Sequence, residues 1–137
     1  MQLYAVNRRP SDVGDSTWFT GSVWLDELAV APAPSALRVH RVSFAPGART
    51  FWHSHPVGQI LHAVSGVGLV GSTAGTRHLL PGETAWIPPG EAHWHGAAPN
   101  QFFVHLAIQE ADKLGAEATW LEPVNEADYR RPPGEHR

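Results

Sequence analysis

The chain has 137 residues, of which 42% are apolar and 17% charged, and a formal net charge of −3. That length suits one domain with a core of its own, while the mild acidity and the lack of any basic run leave no electrostatic footprint for nucleic acid. Nothing approaches the roughly 18 consecutive apolar residues of a membrane span, and with no cysteine any metal must be held by nitrogen and oxygen donors.

The opening residues, MQLYAVNRRPSD, lack the apolar core of a signal peptide, so a cytoplasmic location is the default expectation. TWFTGSVWLDEL, residues 17–28, is rich in aromatic and β-branched residues and reads as an N-terminal strand. ALRVHRVSF runs from 36 to 44 and ends at the turn signal Ala45-Pro46-Gly47. RTFWHSH stops at Pro56, and QILHAVSGVGLVG makes two strands hinged near Ser65-Gly66. RHLL runs into Pro81-Gly82, TAWIP into Pro88-Pro89-Gly90, and AHWHGAA follows. QFFVHLAIQ, residues 101–109, is the longest clean strand pattern, NEADYR reads as one helical turn capped by Asn125, and RPPGEHR as a frayed tail. Short strands spaced by Gly and Pro turns predict an all-β sandwich or barrel in a single domain, 1–137.

Nine histidines are an unusual number for this length. Side chains on a strand alternate faces, so His53 and His55 point the same way, about 7 Å apart, and can converge on one ion. Alone, H-x-H is a weak signal. Here it sits in a frame: Gly47, His53, His55, Gln59, Gly66, and a second frame follows, Gly82, Pro88, Gly90, His93. Parity puts His95 on the face of His93 and groups Gln101, Phe103, His105, Ala107 and Gln109 on one face of their strand. The opposite face, Phe102, Val104, Leu106 and Ile108, is the more apolar, so the polar stripe either lines a cavity or faces solvent. His40 is in step with Val42 and Phe44. His62 and His78 are expected at the surface, Trp52 and Trp94 point away from the histidines as packing residues, and His136 belongs to the tail.

The two frames are those of the cupin superfamily, which the chain resembles at almost every fixed position. The resemblance implies a jelly-roll barrel (double-stranded β-helix) with a core at about 37–109, preceded by the 17–28 strand and followed by a tail at 110–137. It also implies His53, His55, Gln59 and His93 as ligands of one divalent transition metal. The departure is Gln59, where most cupins carry Glu. Three imidazoles and an amide oxygen suit Mn, Fe, Ni, Co, Cu or Zn. With only neutral ligands the ion keeps its full positive charge, which strengthens it as a Lewis acid and makes it harder to oxidise.

A narrower resemblance rests on WFTGSV, FAPGARTFWHSHPVGQ, PPGEAHWHGAAP, HLAIQE and TWLEPVNEADYR. These segments are similar to small bacterial single-domain cupins that include the manganese-dependent hydroxynitrile lyases. That likeness implies manganese, a small-molecule substrate, and a pocket in which His95, His105 and Gln109 act on it, with the positions of His40 and Val42 nearby. It implies cyanohydrin cleavage, in which His95 or His105 takes the hydroxyl proton and cyanide leaves. Small cupins of this kind also assemble, so a homodimer or homotetramer is expected. The alternatives are a metal-dependent dioxygenase of the quercetinase or diketone-cleaving type, and a non-enzymatic small-molecule binding module. The missing Glu counts against the quercetinase type.

Overall fold

The computed structural model describes residues 1–134. Among them, strands β1 (Asp12–Val13), β2 (Phe19–Thr20) and β3 (Val23–Val30) come first. β4 (Leu37–Phe44), β5 (Arg49–Thr50), β6 (His53–Ser54), β7 (Gln59–Gly66) and β8 (Gly68–Ser72) follow. Then come β9 (Gly75–Leu79), β10 (Thr84–Ile87), β11 (His93–Ala97), β12 (Phe103–Glu110), β13 (Thr119–Trp120) and one helical turn, α1 (Glu126–Tyr129). One sheet runs β1-β3-β4-β12-β7-β10; the other runs β13-β6-β11-β5-β2, with β8 beside β11 and β9 beyond it. The two curl around a shared interior, which makes an all-β jelly-roll cupin barrel. Among the described residues no helix is long and apolar enough to cross a membrane.

Alternation decides what enters that interior. Val42 and Phe44 of β4, Leu61 and Ala63 of β7, and Phe103 and Ala107 of β12 are buried together with Phe19, Val23, Leu79 and Ile87. The stripe Phe103-His105-Ala107 is thus the inner face of β12, and the more apolar stripe faces outward. Register aligns Trp86, Ile60, Ile108 and Val39 side by side across the outer face of β10, β7, β12 and β4. Ile60, Val64 and Trp86 on that face are 36%, 47% and 59% exposed.

Two expectations are corrected. Residues 17–28 do not form one strand. Gly21 turns the chain at φ 80°, and a Cβ there would lie 2.9 Å from Ala48 Cβ, so β2 joins β5 in one sheet while β3 joins β4 in the other. Both halves have strand composition, which hid the break. The frayed end expected at RPPGEHR is fastened as far as Gly134, and the tail before it is packed on the barrel. β13 pairs with β6, Val124 and Tyr129 pack with Leu69, Trp94 and Trp52 on the outside of the second sheet, and Gly134 N–H donates to Thr76 O at 2.7 Å. The remainder of the predicted frayed end, with His136, lies outside the described residues. The helical turn is found where it was predicted, with Asn125 accepting from Asp128 N–H.

The C-terminal segment is fastened by a buried arginine. Arg49 donates to Val124 O and to Glu126, both at 3.1 Å, and its guanidinium lies 4.1 Å over the Tyr129 ring. Tyr129 Oη in turn donates to Ala97 O at 2.6 Å. Tyr129→Ala, which empties that clasp, is expected to cost about 3–5 kcal/mol in urea unfolding, whereas Tyr129→Phe, which loses only the hydrogen bond, costs about 1 kcal/mol.

Candidate metal centre and active site

β6 and β11 lie side by side in register, so His53 and His93 are direct cross-strand neighbours, with ring centroids 4.3 Å apart. His55 follows β6 just before Pro56, its ring 5.0 Å from that of His53. Gln59 opens β7, which belongs to the opposite sheet, and sits between Gln109 of β12 and Ile87 of β10. All four side chains are buried. The three histidines bring ligand atoms within 4.8 Å of one another.

Which ring nitrogens face the centre follows from their partners. His53 Nδ1 bonds to Phe51 O at 2.9 Å, His55 Nδ1 to Glu117 O at 2.6 Å, and His93 Nδ1 to Glu91 O at 3.0 Å. A carbonyl only accepts, so each Nδ1 carries the proton and each Nε2 presents a lone pair. His55 Nε2 is buried without a partner. His93 Nε2 lies 3.2 Å from Gln59 Oε1, so two lone-pair atoms confront each other there. A cation shared by both atoms would remove that conflict. The donor set therefore fits a divalent metal, held by His53, His55 and His93 with Gln59 Oε1 beside them.

Burial keeps these imidazoles neutral. It drives His53 well below the ordinary histidine range, helped by the neighbouring His93, and lowers His55 against the opposing pull of Glu117 O. It brings His93 down to about 4. Neutral imidazole is the form that binds metal.

Next to the cluster lies a second pair. His95 follows His93 on the same face of β11, its ring 5.2 Å from His53 and 5.7 Å from His93. His105 stands on β12 opposite Val42 and Ala63, where β7 bulges: Val104 pairs with Ser65 and His105 with Ala63, leaving Val64 unopposed. Bulges re-aim side chains beside sites. His105 Nε2 and His95 Nδ1 are 2.8 Å apart, while His95 Nε2 and His105 Nδ1 are buried without partners. Burial lowers His95 well below the usual value, as do the charges of His105 and His53, and it brings His105 to about 4. One proton is shared in that contact, so each outer nitrogen can give or take one.

The remaining expected residues divide. Gln109 is joined to the centre, accepting from Gln59 Nε2 at 3.2 Å. Val42 is buried opposite His105, and His40 is half-buried on the same face of β4, opposite Ala107 and Glu27. His62 is on the outer face, bonded to Thr84 Oγ1 at 2.8 Å, His78 sits on β9 outside the cluster, and Trp52 and Trp94 pack outside. Two residues were missed. Glu117 anchors His55 through its carbonyl and Gln109 through its carboxylate. Trp120 lies 4.6 Å from the His53 ring and stacks on Trp18 at 5.3 Å. Nothing in KLGAEATW distinguishes Glu117, because a backbone carbonyl has no sequence signature.

Known proteins carry the same framework. The profile of the AraC-like ligand binding domain family matches residues 41–133. The (R)-mandelonitrile lyase of Granulicella tundricola is 44% identical over 133 residues, covering 96% of this chain and all of that protein. A crystal structure of a cupin-like protein from Thermotoga maritima superposes with a TM-score of 0.81 at 39% identity, covering 92% of this chain and 96% of the other. The polyketide cyclase RemF of Streptomyces resistomycificus, at 17% identity, shares the fold, with a TM-score of 0.72 over 94% and 90% of the two chains. The chain belongs to the AraC-like ligand binding domain family within the cupin superfamily, as a small single-domain cupin resembling the hydroxynitrile lyases.

Proposed function

We propose that the protein is a metal-dependent lyase that splits aromatic cyanohydrins into aldehyde and cyanide, and joins them in reverse. The observation that carries the reading is the His95–His105 dyad, buried beside the three-histidine centre and with no carboxylate partner among the described residues. The likeness to an (R)-mandelonitrile lyase supports it. A divalent ion, manganese by resemblance, held by His53, His55, His93 and Gln59 supplies Lewis acidity to a substrate hydroxyl.

The chain's own groups handle the proton. His95 Nε2, the dyad nitrogen turned away from His105, accepts the hydroxyl proton, and the Nδ1···Nε2 contact lets His105 share the charge. The C–O bond becomes a carbonyl as the C–CN bond breaks, and its electron pair leaves on cyanide. The dyad returns the proton to cyanide, so nothing is oxidised or reduced. Gln109 flanks the site, and Phe44 packs against both dyad rings. A groove of about 990 Å³ along β8, β9 and β10 has His93 in its lining.

A second reading is a non-enzymatic small-molecule binder, favoured by the ligand-binding family whose profile the chain matches. Manganese-loaded protein incubated with mandelonitrile separates the two. Benzaldehyde release that depends on the metal and not on oxygen is expected; binding without turnover favours the binder, and oxygen uptake with a flavonol or diketone favours a dioxygenase. His105→Ala is expected to retain the metal and lose at least 100-fold in turnover, and unchanged activity removes His105 from the mechanism.

Acidification acts on the same groups. Unfolded imidazoles take up protons near 6.5, whereas His93 and His105 resist until about 4. Between those values the unfolded state binds more protons, so stability is full above about 6.5 and lost as pH falls towards 4. The melting temperature of metal-free protein is expected to drop across that window. Bound metal dissociates in the same range, as dialysis and metal analysis would record.

We also propose that the outer face of the six-stranded sheet packs on a second copy of the chain. The Trp86-Ile60-Ile108-Val39 row supports this, since residues 121–130 pack on the second sheet's outer face, whereas Ile60, Val64 and Trp86 on this one are exposed. A dimer is expected in sedimentation, and Ile60→Glu is expected to yield a folded monomer.

A further inference from the structure

Gln59 is an ambiguous ligand by its chemistry. Its oxygen can bind a cation and its NH2 group cannot, yet the two ends have nearly the same shape. Something must decide which end faces the histidines. The hydrogen bonds name it: Gln59 Nε2 donates to Gln109 Oε1 at 3.2 Å, and Gln109 Nε2 donates to Glu117 Oε1 at 3.1 Å. A carboxylate only accepts, so Gln109 must turn its NH2 group to Glu117 and its oxygen to Gln59. Gln59 must then spend its NH2 group on Gln109, which leaves Oε1 beside His93 Nε2. With either amide flipped, two acceptors or two donors would face each other.

We infer that Glu117 is the positioning residue that sets the polarity of the Gln59 ligand, through a one-way relay Glu117–Gln109–Gln59. The inference rests on the reading of Gln59 as a metal ligand and adds what orients it. It also assigns Gln109 a place in the relay rather than a free hand towards substrate. The relay further explains why an amide at 59 is matched to this chain. A carboxylate at 59 needs a donor from Gln109, which Gln109 can offer only by turning its oxygen to residue 117, where Glu would repel it and Gln would donate.

The test is a sign reversal. Co(II) and Mn(II) affinities are measured by calorimetry and by quenching of tryptophan fluorescence, since Trp120 lies 4.6 Å from His53. The visible spectrum of the Co(II) protein reports the ligand geometry. Glu117→Gln in the native background is expected to weaken binding and broaden the Co(II) bands, because an amide at 117 can donate as well as accept and no longer enforces one polarity. The same Glu117→Gln change made in Gln59→Glu protein is expected to tighten binding, about tenfold, because the relay then runs backwards with every donor matched. Effects of the same sign in both backgrounds would overturn the relay, as would no effect in either. Native protein that binds neither ion would instead remove the metal reading itself, and the relay with it.

If Gln59→Glu does not fold, Glu117→Ala and Arg38→Met decide. Arg38 Nη1 stands 3.9 Å from Glu117, so a carboxylate serving only as its counter-ion predicts equal losses of metal affinity in both variants. The relay predicts a loss in Glu117→Ala alone.

Discussion

Three backbone carbonyls, those of Phe51, Glu91 and Glu117, determine what this barrel can hold. Each takes the Nδ1 proton of one buried histidine and so turns an Nε2 lone pair into the interior. Without them the rings could choose either tautomer, and three buried imidazoles would share no common centre. Two of the anchors are local, two residues before their own histidine, so β6 and β11 bring His53 and His93 with their orientation already fixed. The third comes from a distant segment, and His55 is correctly set only once residues 111–120 have folded over β6.

The interior so formed is unusual in its charge. His53, His55, Gln59, His93, His95 and His105 are all buried, and no carboxylate lies among them. Desolvation keeps each imidazole neutral, and any charge placed there is felt strongly in the low-dielectric surroundings. The carboxylate that bonds to the Gln59–Gln109 amide pair is that of Glu117, about 30% exposed at the edge of this interior. On the proposed reading, that carboxylate would orient the Gln59 amide from outside the histidine cluster. That separation is the structural content of having Gln rather than Glu at position 59.

Much of this was legible in the sequence, but not through hydrophobicity. On β12 the apolar rule points the wrong way: Val104, Leu106 and Ile108 face outward while His105 is wholly buried. The spacing of the two glycine-histidine frames resolved what amphipathicity could not, because turn glycines and metal ligands occupy fixed positions in a barrel whatever lies between them. Composition failed at Gly21, since both flanking pieces are good strand formers and only the approach of Ala48 forces the turn. It failed again after residue 110, where Val124 and Tyr129 are too sparse to show a period yet each fills a pocket outside the second sheet. Glu117 and Trp120 belong to that same stretch, and their contacts run to the His55 and His53 rings, which are far away along the chain, and to the Gln109 amide.

The site also belongs to neither sheet alone. His53, His93 and His95 stand on the sheet of β6 and β11, while Gln59, His105 and Gln109 stand on the sheet of β7 and β12. The ligand set and the dyad both cross the interior, so each needs the two sheets at their folded spacing. A ligand that engages both sheets binds the folded state alone and stabilises it by mass action. The same geometry ties chemistry to closure, because a small separation of the sheets lengthens the His95–His105 contact before it disturbs any single strand. Functional groups placed across the barrel in this way make its packing residues, Phe44 and Phe103 against the dyad rings, part of the site's precision rather than mere filling.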